Sequence, residues 1–170
     1  MRAAFFSDSH GGTGAFRIAM ETVMKRGKID LFAFLGDGIQ DFLDLRPLMQ
    51  SHNPLAQIHA VWGNNDPHRI GLKEEAVVSF GGIWLFLSHG HLHKVKLTDR
   101  LLLEDARDRR CRVAVFGHTH HAFCLEKEGI LLFNPGSVSL PVGLGPSAGI
   151  LEIGEDGVLR PQIVQLRMYP

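Results

Sequence analysis

Short, unbroken apolar runs recur along the chain and end abruptly in polar residues. Residues 2–7 read as a first strand. From 13 to 27 the spacing changes. Phe16, Ala19, Met20, Val23 and Met24 fall at i, i+3, i+4, i+7 and i+8, which lines one face of a helix, with Gly27 as its stop. IDLFAFLGDG predicts a second strand, FLDLRPLMQ a short helix broken near Pro47, and QIHAVWGNND a third strand. Continuous apolar strands alternating with helical spacing predict βαβ units whose strands are buried on both faces.

The pattern then shifts toward hairpins. EEAVVSFGGIWLFLSHGH predicts two strands joined at Gly81-Gly82, and LTDRLLLEDARDRR a helix with Thr98 as its cap. CRVAVFGHTHH predicts a strand. AFCLEKEGILLFNPGS and SAGILEIGEDGVLRPQIVQL predict two more hairpins, turning near Lys127-Glu128-Gly129 and at Asp156-Gly157. With no linker, repeat or low-complexity tract, these elements predict one α/β domain over residues 1–170. Its fold class is two mixed β-sheets packed as a sandwich and flanked by helices.

Composition narrows this without changing it. The 170 residues carry 18 Lys and Arg against 18 Asp and Glu, so the net charge is zero, and no basic run suggests a protein built to grip nucleic acid. Cys111 and Cys124 lie in or beside apolar runs and read as two buried thiols rather than a disulfide framework. The start, MRAAFFSDSH, is too polar for a signal peptide, and no apolar run approaches the roughly 20 residues of a membrane span. The expected location is the cytoplasm, with no membrane partner.

The chemistry sits where the strands stop. Five apolar runs end in Asp8-Ser9-His10, Gly36-Asp37, Gly63-Asn64-Asn65-Asp66, Ser88-His89-Gly90-His91 and Gly117-His118-Thr119-His120, and a sixth ends in Asn134-Pro135-Gly136-Ser137. In open α/β sheets the carboxyl ends of strands converge on one rim, where ligands bind. Asp8, His10, Asp37, Asn64, His89, His118 and His120 offer oxygen and imidazole donors and no thiolate, a set suited to Mn²⁺, Fe²⁺, Zn²⁺ or Ni²⁺. Seven donors are too many for one ion. Two ions sharing a carboxylate would use them all, and two metals about 3.5–4 Å apart form a clamp for phosphoryl chemistry.

In order and spacing these clusters resemble the D-x-H, G-D, G-N-H/E-D, G-H and G-H-x-H pattern of the calcineurin-like metallophosphoesterases. The stretch FNPGSVSLP resembles their small prokaryotic, YfcE-like phosphodiesterase branch. The resemblance implies a dinuclear-metal-dependent phosphodiesterase with a hydroxide between the metals as nucleophile. It implies Asp8, His10 and His120 on one metal, Asn64, His89 and His118 on the other, and Asp37 as the bridge, with Mn²⁺ the first choice of cofactor. Asn64 and His91 are expected beside the substrate phosphate, and Asp66 is expected to orient a histidine. Asn65 stands where larger members carry a His that assists the leaving group, and it cannot act as that acid.

The remaining polar residues carry less. His68 follows Asn-Asp-Pro in a loop near the site. His93 and His121 read as solvated or supporting, His52 and His59 as ordinary, and Asn134 and Ser137 as turn builders. The expected partner is a small phosphodiester, nucleotide-derived among other options, and a homo-oligomer is open. A protein-interaction scaffold of the same fold, like the retromer subunit that shares it, is the alternative function.

Overall fold

A computed structural model describes residues 1–67 and 72–167, which leaves His68 outside the described residues. The elements run β1 (Arg2–Phe6), α1 (Thr13–Met24), β2 (Leu31–Phe34), α2 (Ile39–His52), β3 (Gln57–Ala60), β4 (Glu75–Phe80), β5 (Ile83–Ser88), α3 (Arg100–Asp108), β6 (Val113–Phe116), β7 (Phe123–Lys127), β8 (Ile130–Asn134), β9 (Ser147–Ile153) and β10 (Leu159–Gln165). They form two five-stranded mixed sheets, ordered β10-β9-β1-β2-β3 and β4-β5-β6-β8-β7.

Side-chain alternation builds the layers. In β1, Ala3 and Phe5 face the second sheet and pack with Leu31, Ala33, Leu85, Val113, Phe133 and Leu151. Ala4 and Phe6 face the other way, onto Phe16, Met20 and Val23 of α1 and Phe42, Leu45 and Met49 of α2. The outer face of the second sheet, through Phe86, Ala114 and Leu132, packs on Leu102, Leu103 and Ala106 of α3. The expected sandwich with outer helices is therefore present, as successive helix, sheet, sheet and helix layers.

Four local expectations are corrected. The break near Pro47 is absent: α2 runs unbroken through that residue. Proline removes one backbone donor, but Ile39, Phe42, Leu45 and Met49 bury one continuous face against the first sheet, and that burial outweighs the lost bond. Cys111 is buried, but Cys124 is exposed, because β7 is the edge strand of its sheet. α3 begins at Arg100 after Asp99 rather than at Thr98, although the Thr98 hydroxyl accepts the Arg100 N–H at 3.2 Å. His93, expected in solvent or in support, is buried.

Two topological facts position the site. β1, β2 and β3 are parallel, and so are β5, β6 and β8. Six strands thus send their C-terminal ends to one rim that spans both sheets.

Candidate metal centre at the strand ends

β1, β2 and β6 turn sharply as they leave their sheets. Asp8, His10, Asp37, His118 and His120 all have positive φ, between 45° and 65°. Non-glycine residues rarely adopt this left-handed conformation, and where they do the surrounding structure must hold them in it. Here the loops hold one another. The Asp8 N–H donates to the Gly36 carbonyl and the His10 N–H to the Asp37 carbonyl, both at 3.0 Å. The approach is close enough to require glycine: a Cβ on Gly63 would collide with the Asp37 carboxylate, and one on Gly117 with the Ser7 hydroxyl.

The result is two groups of converging donors. Asp8, His10 and His120 form one, and Asp37, His89 and His118 the other, with the ligand atoms of each group within 4.8 Å of one another. In the first, His120 Nε2 lies 3.2 Å from Asp8 Oδ1 and 3.3 Å from His10 Nε2. In the second, His89 Nε2 lies 3.4 Å from Asp37 Oδ2 and 3.2 Å from His118 Nδ1. Asp37 Oδ2 also lies 3.7 Å from His10 Nε2, so one carboxylate oxygen faces both groups.

Ring orientation is set from behind. His89 donates Nδ1–H to the Leu35 carbonyl and His120 donates Nδ1–H to the Leu140 carbonyl, both at 2.6 Å. In the neutral rings this leaves each Nε2 lone pair pointing inward, the usual arrangement of a histidine prepared for a metal. Asp8 is fully buried, and its Oδ1 has no directed hydrogen bond among the described residues. A buried, unpartnered carboxylate oxygen facing imidazole lone pairs calls for a cation. The donor chemistry and this orphaned atom both fit the two divalent ions that the sequence implies.

The electrostatics agree. Burial opposes the charge on Asp37, but the hydrogen bond and charge of His89 and two bonds from Asn65 outweigh it and hold the carboxyl well below the usual carboxylate range. Burial also opposes a charge on His89, and the Asp37 contact together with the negative charges of Asp8 and Asp37 raises that ring instead. His118 is pushed down to about 4 by burial and by the charge of His89. Contact with Asp8 raises His120 against its burial. Burial, with repulsion from His89, lowers His91.

The other expected residues fall into place around this centre. The His91 ring lies 5.4 Å from that of His89 and 6.0 Å from that of Trp62, and its Nδ1 is buried without a hydrogen bond. The described partners of Asp66 are not histidines. Its carboxylate accepts the backbone N–H groups of Asp37, Gly38, Ile39 and Gly63 at 2.7–2.9 Å, which shapes the turn behind Asp37 and caps the start of α2. Asn64 has an exposed side chain and no hydrogen-bond partner among the described residues. It is Asn65 that reaches inward, with its backbone N–H on Asp37 Oδ1 at 2.8 Å and its Nδ2 on Oδ2 at 2.6 Å.

Several supports escaped the sequence reading. Asp41 of α2 is buried and accepts hydrogen bonds from the Ser9 hydroxyl, the Gly11 N–H and the Thr13 hydroxyl, pinning the loop that carries His10. Ser137 and Ser139 donate to the Asp8 carbonyl. Asn134 donates to the Gly117 carbonyl and the Thr119 hydroxyl, so NPGS is a turn that braces two ligand loops.

Fold and donor arrangement together match the calcineurin-like phosphoesterase class. Residues 1–156 match the calcineurin-like phosphoesterase superfamily domain, and the chain belongs to that family. A probable metallophosphoesterase of Bacillus subtilis, YsnB, is 29% identical over 143 residues, covering 83% of this chain and 77% of the relative. The phosphodiesterase MJ0936 of Methanocaldococcus jannaschii is 28% identical over 166 residues, covering 89% and 93%. The solved structure of the phosphoesterase YfcE of Escherichia coli superposes with a TM-score of 0.68 at 25% identity, covering 98% of this chain and all of that one.

Proposed function

We propose that the chain hydrolyses small phosphodiesters with the help of two divalent cations, Mn²⁺ first among them. The observation that carries this reading is the shared oxygen: Asp37 Oδ2 faces both donor groups, each of which draws on both sheets. Asp8, His10 and His120 would hold one cation, and Asp37, His89 and His118 the other, with an amide from the Asn64-Asn65 pair. Bound there, the pair of ions would lower the pKa of a shared water and neutralise charge on the phosphoryl oxygens.

The chain's own residues do the rest. The Leu35 and Leu140 carbonyls keep Nε2 of His89 and His120 turned inward. Asp66 holds the turn that aims Asp37. His91 stands half-buried beside Trp62 and His89, where its ring would face a phosphate held at the donors. Asn65 cannot donate a proton to the leaving group, so leaving groups that depart without one should react best, since general acid help is typically worth about 10²–10⁴-fold. A protein-interaction scaffold of the same fold is the alternative, and hydrolysis with added metal separates the two.

The test is hydrolysis of bis(p-nitrophenyl) phosphate by purified protein with added Mn²⁺, alongside metal content. We expect turnover that EDTA abolishes. Diester hydrolysis absent with Mn²⁺, Zn²⁺, Fe²⁺ and Ni²⁺ alike would overturn the enzymatic reading.

A further inference from the structure

Exposed apolar side chains are not spread evenly over this surface. Of the twelve large ones among the described residues, five stand on two loops that flank the donors. Leu140, Val142 and Leu144 belong to the loop after β8, and Leu92 and Leu97 to the loop after β5. Leu97 and Leu144 are 85% and 94% exposed, so packing within the chain does not account for them. Apolar groups left together in water mark a surface that meets a ligand or a partner.

Both loops are fastened beside the donors. The Leu140 carbonyl accepts from His120 Nδ1 at 2.6 Å, and the Val142 N–H donates to the His120 carbonyl at 2.9 Å. The Leu140 N–H donates to the Ser137 hydroxyl, which fixes the base of that loop. On the other loop, Val95 shares a cavity of about 190 Å³ with Thr119 and His121, the residues on either side of His120. Lys96 follows Val95, exposed and without an ion pair among the described residues, and its charge reaches both His118 and His120. A phosphate held at the donors would have Lys96 and these apolar side chains on the loops beside it. That pairing selects the occupant. An anion with an apolar arm satisfies both, whereas a folded partner needs about 20–30 residues a side for a stable interface.

We propose that these two loops receive the ester group that stays on phosphorus, and that the chain favours diesters in which this group is aliphatic over diesters of a sugar. The proposal rests on the phosphodiesterase reading and names its substrate class. The Val142 and Leu144 side chains offer apolar surface and no reactive group, so they bear on which diester binds and not on the chemistry at phosphorus. On so open a surface a methylene loses only part of its contact with water, and each one is worth about 2-fold in binding.

The experiment is a series of p-nitrophenyl phosphodiesters whose second ester group is methyl, butyl or hexyl, assayed with Mn²⁺. The leaving group is constant, so differences in kcat/KM report the second group alone. The hexyl diester should exceed the methyl diester by about 10–30-fold, and thymidine 5′-p-nitrophenyl phosphate, large but polar, should stay within about 3-fold of the methyl diester. With Val142→Ser and Leu144→Ser combined, the hexyl advantage should fall below about 3-fold while the methyl rate is unchanged. Leu55→Ser, at an exposed leucine before β3 and so at the far end of the sheet, should keep the full advantage. A flat series in the native chain overturns the proposal. So does an advantage that survives the double substitution, or a thymidine diester that matches the hexyl one. No turnover of any diester refutes the phosphodiesterase reading and the proposal with it, whereas turnover without preference refutes the proposal alone.

Discussion

Asp37 is held at both oxygens by Asn65, and the His89 ring stands beside the same Oδ2 that the Asn65 amide bonds. Its neighbours keep it ionised and aimed, so a metal need not order it. Because the same oxygen serves both donor groups, its loss differs in kind from the loss of a terminal donor. Asp37→Ala should bind no Mn²⁺ in either position, whereas His10→Ala should keep the position built by Asp37, His89 and His118. Metal content by mass spectrometry on dialysed protein checks this: two metals retained in Asp37→Ala would refute the bridge. The main donors were legible because polar side chains that end apolar runs have few structural uses. That Asn65, and not Asn64, hydrogen-bonds Asp37 was not legible, since both are amides and only the path of the backbone decides which one reaches the carboxylate.

A second polar cluster operates between elements. His93, buried in the loop after β5, lies 2.9 Å from Asp105 of α3 and 3.4 Å from Glu75 of β4. Arg109 pairs with both carboxylates, at 2.9 Å and 3.0 Å, and lies 4.7 Å over the Phe86 ring. The guanidinium supplies the positive charge that these acids require, so the cluster works as a clasp tying helix, edge strand and loop. Burial opposes the charge on Asp105, but the bonds from His93 and Arg109 win and its pKa is lowered. A lowered carboxylate stabilises the fold above its unfolded pKa near 3.8, and that contribution fades as pH falls through the folded value. With the Asp105 side chain 39% exposed, solvent screening keeps the gain small, roughly 0.5–1 kcal/mol. Asp105→Asn should therefore melt about 1–4 °C lower at pH 7, and the gap should close toward pH 3. A gap unchanged from pH 7 to pH 3 would show that the charge does not stabilise. Neither the clasp nor the unbroken α2 could be read from sequence. Glu75, His93 and Asp105 are distant in the chain, and the Pro47 rule holds only until burial of a helix face outweighs it.

At the scale of the molecule, the site is a seam. Asp8 and Asp37 come from one sheet, His89, His118 and His120 from the other, and cations held between them would cross-link the two halves of the sandwich. Ligands that bind only the native state stabilise it by about 2.7 kcal/mol at a hundredfold excess over Kd, which for a chain of this size raises Tm by roughly 5–10 °C. Scanning calorimetry with Mn²⁺ and with EDTA should show that difference, and equal Tm values would mean that the seam is empty in the native state. The layers were legible in the apolar runs, because buried parallel strands leave a distinctive pattern. The seam was legible only as six unconnected polar ends, since nothing in a linear order says that two sheets share one rim.

The left-handed turns at Asp8, His10, Asp37, His118 and His120 have an evolutionary reading. Each places a bulky or charged residue where the backbone would rest more easily with glycine, at a cost of roughly 1 kcal/mol apiece. Selection for a sturdier fold therefore pulls against selection for chemistry at the same five codons. A descendant freed from hydrolysis would drift first at His10 and His120, which line the open edge, while the glycines, Asp41 and Asp66 that shape the loops would persist. Such a lineage would keep the outline of the cleft long after losing its reaction, and the order of loss would record when the chemistry ceased to matter.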